Sequence, residues 1–152
     1  MQIGVIGAGC CSPSVEKIAE EVGRDNRRDF AGWHRGGLGG VMNAAARGAK
    51  LEGGLTVGIL PGVNPGDVNP YIDVSIVTGL GHARNVLVVH SSDALIAVTG
   101  GYGTLSEIAI ALKLKKPVVG LNTWDVTEEI VQAKNPREAV SLAISLLSSP
   151  SP

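Results

Sequence analysis

The 152-residue chain is 44% apolar but only 3% aromatic, carries 21 glycines and has a formal net charge of −1. That balance gives no electrostatic footing for nucleic acid or an anionic membrane surface, and no run approaches the ~20 apolar residues of a membrane span. Its only cysteines, Cys10 and Cys11, are adjacent and cannot staple a fold; with a strand pattern at the start in place of a basic, apolar leader, the expected location is the cytoplasm.

In chain order, strand and helix patterns alternate. Residues 2–7 read as a strand and Ala8 to Ser12 as a small-residue loop. A helix capped by Ser12 or Ser14 then opens at Pro13, a residue favoured at the first helical position, and runs to about Val22. The stretch from Gly23 to Arg35 carries four arginines, two aspartates and a histidine where a buried strand should stand, so a short, irregular or edge strand is expected there, on a solvated surface. A glycine loop at 36–40 leads into an alanine-rich helix at 41–50, ended by Gly53-Gly54. Further strands are expected at 55–60 and 72–77, on either side of a Pro/Gly-rich loop at 61–70, then a short helix at 83–90. Ala94 to Val98 is a buried-strand pattern, and a helix follows at 105–116. Residues 117–121 read as a strand, Val131 and its neighbours as a short edge strand, and Asn135-Pro136 as the cap and first residue of a last helix through Leu147. Strands separated by helices imply an α/β, Rossmann-like three-layer sandwich with a mostly parallel sheet. A single domain over 1–152 is expected, regular over about 2–148.

The loop between the strand at 94–98 and its helix carries the chemistry. Gly100, Gly101 and Gly103 lack Cβ atoms, so a ligand can approach the main chain closely. Thr104 is placed as N-cap, and the free N–H groups of a first helical turn carry roughly half a positive charge, an anion site. Glu107 is out of place beside an anion. Either it closes a capping box with Thr104 through the T-x-x-E spacing, or it faces the ligand and acts on a part other than the phosphate. Gly7 and Gly9, in a partial glycine fingerprint, either touch ligand or serve the turn.

Taken together, Gly36–Met42, Ala46-Arg47-Gly48-Ala49, Gly53–Pro61, Ala83-Arg84-Asn85, Ser92–Val98 and Gly100–Glu107 resemble the ordered motifs of the Lonely Guy and molybdenum cofactor carrier superfamily. The likeness spans roughly residues 2–121, and Thr78–Asn85 with Gly103–Ala109 is most similar to its small carrier-like branch. The resemblance implies two alternatives. In the carrier branch the surface holds a molybdenum cofactor, a phosphate-bearing pterin, without chemistry. In the Lonely Guy branch a nucleoside 5′-monophosphate is split at its N-glycosidic bond, with Glu107 and Arg84 as the catalytic pair and no cofactor required. Both place ligand against Gly37, Gly39, Gly40, Met42, Gly100, Gly101, Tyr102, Gly103 and Thr104, and both imply a homodimer or higher homo-oligomer. The chain departs from the hydrolase pattern at Thr99, where proline is usual, and at Asn85, where lysine follows the arginine.

Other readings are weaker. The superfamily's frequent label of lysine decarboxylase has no support, because that chemistry needs a Schiff-base lysine and the chain's lysines all fall in solvated patterns. His34, His82 and His90 are too scattered for a metal site; His82, close to Arg84, either lines the pocket or is surface, the second reading being favoured. A ligand-free structural or assembly role is the third alternative. The partner expected is a small phosphorylated ligand, a nucleotide or the molybdenum cofactor.

Overall fold

The computed structural model describes residues 1–26, 30–31 (main chain only) and 40–148. In chain order the elements are β1 (Ile3–Gly7), α1 (Pro13–Asp25), β2 (Phe30–Ala31), α2 (Val41–Leu51), β3 (Thr56–Leu60), β4 (Val74–Val77), α3 (Arg84–Ser91), β5 (Ala94–Val98), α4 (Tyr102–Lys113), β6 (Val118–Leu121), β7 (Ile130–Gln132) and α5 (Pro136–Ser148), with 3₁₀ turns at Pro65–Asp67 and Gly81–Ala83. Gly37, Gly39, His34 and most of the arginine-rich stretch lie outside the described residues.

The strands form one sheet in the order β4-β3-β2-β1-β5-β6-β7, and each neighbouring pair is parallel. It is the α/β Rossmann-like architecture expected. Side chains alternate along the central strands: Ala94, Ile96 and Val98 of β5 join the core under α1, α2 and α5, while Leu95 and Ala97 join the core under α3 and α4. The strand order reverses between β1 and β5, so a crevice opens outside the carboxyl ends of those two strands, where ligands bind in folds of this kind.

Three expectations change. The polar stretch does supply a strand, but β2 is interior, bridging Ile3 of β1 to Thr56 of β3 through Phe30. It is short, as expected, at two residues, both apolar in type. The edges are β4, all of whose residues are exposed, and β7. Second, α4 begins at Tyr102 with Gly101 as N-cap; Thr104 lies inside the first turn and is not the cap. Third, Lys116 is half-buried and engaged, since its Nζ donates to the carbonyls of Val89 (2.8 Å), His90 (2.9 Å) and Ser92, closing the C-terminus of α3. Lys50 also pairs with Asp73 at 2.6 Å, tying α2 to the segment before β4.

Ser12 is the N-cap of α1 but makes no side-chain capping bond, and α1 runs on to Asp25; two other local signals operate as expected. Gly54 N–H donates to Ala49 O (2.8 Å) and Gly53 N–H to Lys50 O (3.1 Å), the paired closure that a glycine at φ +74° permits after a helix. Asn135 Oδ1 accepts from Glu138 N–H at 2.9 Å, capping α5.

Helices α1 and α2 pack at backbone contact because Gly23 and Gly48 face each other's helix. A Cβ on Gly48 would meet Arg24 N at 2.9 Å and the Glu20 carbonyl, main-chain atoms that cannot swing aside. Gly→Ala in an exposed helix interior gains up to about 1 kcal/mol; here overpacking, roughly 1–3 kcal/mol, outweighs it. Gly48→Ala is therefore expected to lower Tm by several degrees in a thermal melt, and an unchanged or raised Tm would mean that the helices have room to part.

Candidate functional site

The crevice at the β1/β5 switch is a cleft of about 330 Å³ lined by Gly7, Ala8, Gly9, Cys10, Met42, His82, Arg84, Asn85, Gly101, Gly103, Thr104 and Glu107. Its floor is built by close approach. A Cβ on Gly7 would lie 2.6 Å from Val41 Cγ1, so glycine there lets the start of α2 sit over the end of β1. Val41 N–H donates to Ala8 O at 3.0 Å, fixing the β1–α1 loop. Gly40, at φ +111°, is the N-cap of α2 and abuts Gly9; it supports the loop and does not line the cleft.

The opposite wall is the start of α4. Gly100 has φ +114°, and any side chain there would collide with Thr104, whose Cγ2 would be 2.7 Å away. A Cβ on Gly101 or Gly103 would meet nothing within 4 Å, so these two border open space, and ligand can approach the first-turn N–H groups. Tyr102, between them, turns away from the cleft. It is 84% exposed and stacks on Trp124 with ring centroids 5.9 Å apart, while Trp124 Nε1 donates to Gly101 O at 3.1 Å.

Arg84, the first residue of α3, and Glu107, in the second turn of α4, meet at the back of the cleft. They are 2% and 4% exposed, and Arg84 Nη1 lies 3.9 Å from Glu107 Oε1, too long for a hydrogen bond. Arg84 Nε and Nη1 have no hydrogen-bond partner. Burial pushes the Glu107 carboxyl up to about 7, only partly offset by the guanidinium, and burial likewise lowers Arg84. A carboxylate committed to the wall of the cleft cannot also close the helix end, so Glu107 makes no capping box with Thr104.

Sequence reasoning thus located Gly7, Gly9, Met42, Arg84, Gly101, Gly103, Thr104 and Glu107 on one surface, and the structure leaves Gly40, Gly100 and Tyr102 off it. It missed Ala8, Cys10 and Asn85, and His82, for which the surface reading was favoured over the pocket, lines the cleft. Asn85 was legible as Arg84's neighbour: its Nδ2 donates to Ser106 Oγ (2.9 Å), which donates to Gly103 O (2.7 Å), stitching α3 to the first turn of α4. For His82 the signal was its nearness to Arg84, and the turn that presents it is set by Gly79 and Gly81, both at positive φ.

The model of one family, SLOG cluster4, matches residues 1–148. The chain belongs to that family. A solved molybdenum cofactor binding protein from Rippkaea orientalis is 37% identical with TM-score 0.84, covering 95% of this chain and 96% of its own. The molybdenum cofactor carrier protein of Chlamydomonas reinhardtii is 34% identical with TM-score 0.83, covering 97% and 98%. An uncharacterized protein of Archaeoglobus fulgidus is 53% identical over 146 residues, 95% of each chain. A probable cytokinin riboside 5′-monophosphate phosphoribohydrolase of Oryza sativa, LOGL5, is 37% identical over 75 residues, 48% of this chain and 30% of that one. This SLOG cluster4 member therefore shares the carrier proteins' fold along its length and resembles the hydrolase over less than half of its own.

Burial of Glu107 has a consequence for stability. An acid whose folded pKa is raised favours folding while protonated; that contribution is whole below pH 4.5, its ordinary value, and is lost as pH rises to about 7. Urea midpoints are expected to fall across this window by an amount on the order of 3 kcal/mol or less, and Glu107→Gln to flatten that part of the profile. An equal slope in the variant would place the titration elsewhere.

Proposed function

We propose that this protein binds a phosphorylated heterocycle in the β1/β5 cleft, a pterin of the molybdenum cofactor class or a nucleotide, as a carrier or binding protein. The observation that carries the reading is Arg84: a buried cation with two N–H atoms unpartnered, in a cleft whose facing wall is the glycine-bordered start of α4. A buried unpaired donor is destabilising unless something completes it. A phosphate fits, taking N–H groups from the first turn of α4 and paired donors from the guanidinium. Likeness to the two molybdenum cofactor proteins along the chain's length supports the same class of ligand.

Phosphoribohydrolase activity is the second reading, favoured by the partial likeness to the rice enzyme and by a carboxyl titrating near neutrality, as acid–base work requires. In it Glu107 would stabilise positive charge developing on the ribose ring while orienting water.

One experiment separates the two. The protein is incubated with AMP and the other nucleoside 5′-monophosphates while released base is followed, and pterin binding is measured in parallel. The carrier reading expects no base release above background, tight pterin or nucleotide binding, and loss of about 10–100-fold in affinity in Arg84→Ala, the range for a charge-assisted hydrogen bond. Base release abolished by Glu107→Ala would establish the hydrolase.

The same reading includes self-association. Val74, Ile76 and Val77 of edge strand β4, Leu80 after it, and Val86 and Leu87 of α3 are large apolar side chains between 38% and 50% exposed. Apolar side chains left exposed on an edge strand and a neighbouring helix favour burial against a second copy of the chain. Light scattering is expected to give a dimer or larger assembly, and Ile76→Lys to shift it toward monomer; a monomeric wild type would refute the assembly.

A further inference from the structure

The ligand reading leaves a conflict of charge at the back of the cleft. Glu107 lies 3.9 Å from Arg84, so an anion that reached the unpartnered Arg84 N–H groups would also approach the carboxyl. An ionised carboxylate there would repel the anion, in surroundings where charge is poorly screened. A protonated carboxyl has a donor to offer instead. We propose, resting on the ligand-binding reading above, that the anion-binding form of the cleft has Glu107 protonated. Arg84 and the first turn of α4 hold the anionic group while the Glu107 carboxylic acid donates a hydrogen bond to it, so that each ligand bound takes up one proton.

The proton comes from solvent, resides on a Glu107 carboxyl oxygen, and returns to solvent on release. When Glu107 is ionised without ligand, its charge offsets that of Arg84; when ligand is bound, the neutral acid adds no negative charge to the anion's own, and Arg84 faces the anion. Burial that keeps the carboxyl near pH 7 puts this exchange within the physiological range.

Among the described residues, few other groups compete for the role. Helix α4 packs on α3, β1, β5 and β6. The three strands carry no ionisable side chain. Besides Arg84, α3 has only His90, which is exposed near its far end, and the cleft adds His82 and Cys10. Imidazole is the other side-chain type that titrates near neutrality, so His82 is the control.

Guanosine 5′-monophosphate is a suitable probe, titrated calorimetrically at several pH values and in buffers of different ionisation enthalpy. Wild type and His82→Gln are expected to take up close to one proton per ligand at pH 8. Glu107→Gln is expected to take up none by this route. Comparison with that variant cancels the phosphate's own titration: the ratio of wild-type to Glu107→Gln dissociation constants should rise about 30-fold from pH 6 to pH 8.5, for a carboxyl at about 7. A constant ratio, or a variant that fails to bind even at pH 6, overturns the proposal while leaving the ligand-binding reading standing. Should Glu107→Gln fail to fold, proton uptake by His82→Gln alone decides, and its absence overturns the proposal. If wild type binds neither this probe nor inorganic pyrophosphate at any pH, the ligand-binding reading fails with it.

Discussion

The parallel pairing of β1 with β5 is the constraint on which the rest depends. Five consecutive positions, Ile3↔Ala94 to Gly7↔Val98, bring two strands far apart in sequence side by side with their carboxyl ends level. Because β1 continues leftward to β2 and β5 rightward to β6, the loops that leave these ends turn to opposite faces of the sheet and leave a crevice between them. The apolar character of both strands, each buried throughout, fixes the register. A slip of one residue would send Ile96 and Val98 to the wrong core, and would also separate Gly7–Cys10 from the start of α4.

Placing ionic groups at the back of that crevice has an energetic cost that the surrounding packing offsets. Arg84 and Glu107 are buried at a distance that gives neither a hydrogen bond to the other, so desolvation exceeds their mutual attraction, and both are shifted toward their neutral forms. Helices α3 and α4 hold them there through Val88, Val89, Ile108 and Ala111 in a shared apolar core, the Asn85–Ser106–Gly103 link and the Lys116 clamp on α3. Such a pair contributes little to stability; its value lies in what approaches it.

Much of the fold was legible because local chemistry and tertiary context agree. The apolar run Ala94–Val98, the Gly53-Gly54 stop and the Asn135-Pro136 start each have a mechanism confined to a few residues, and each operates. Where they disagree, the sequence misleads. Gly101-Tyr102-Gly103 has poor helix propensity, yet packing extends α4 over it, which moves Thr104 out of the cap. For β2, arginines around a two-residue strand gave a surface pattern although the strand pairs on both sides. Of the candidate site, Arg84, Glu107 and Tyr102 were all expected from motif resemblance, and the first two line the cleft whereas Tyr102 does not. Consecutive helical residues face about 100° apart, so Gly101 and Gly103 can border the cleft while Tyr102 leaves it for Trp124.

Thr99 bears on what the cleft does. Its φ of +51° is a strained conformation for a β-branched residue. Its N–H donates to Leu121 O at 3.0 Å, and its carbonyl accepts from Thr123 Oγ1 at 2.5 Å. Proline, usual at this place in the hydrolase pattern, is held near −65° and has no N–H to give. Thr99 is therefore not an interchangeable variant of that proline; it specifies a different turn, locked to the end of β6, from which Gly100 must leave at positive φ. Asn85 departs in the same direction, placing a neutral link to Ser106 where a second cation would stand. Among the described residues lining the cleft, Arg84 is the one arginine or lysine, and the carboxyl that faces it is held toward its neutral form by burial.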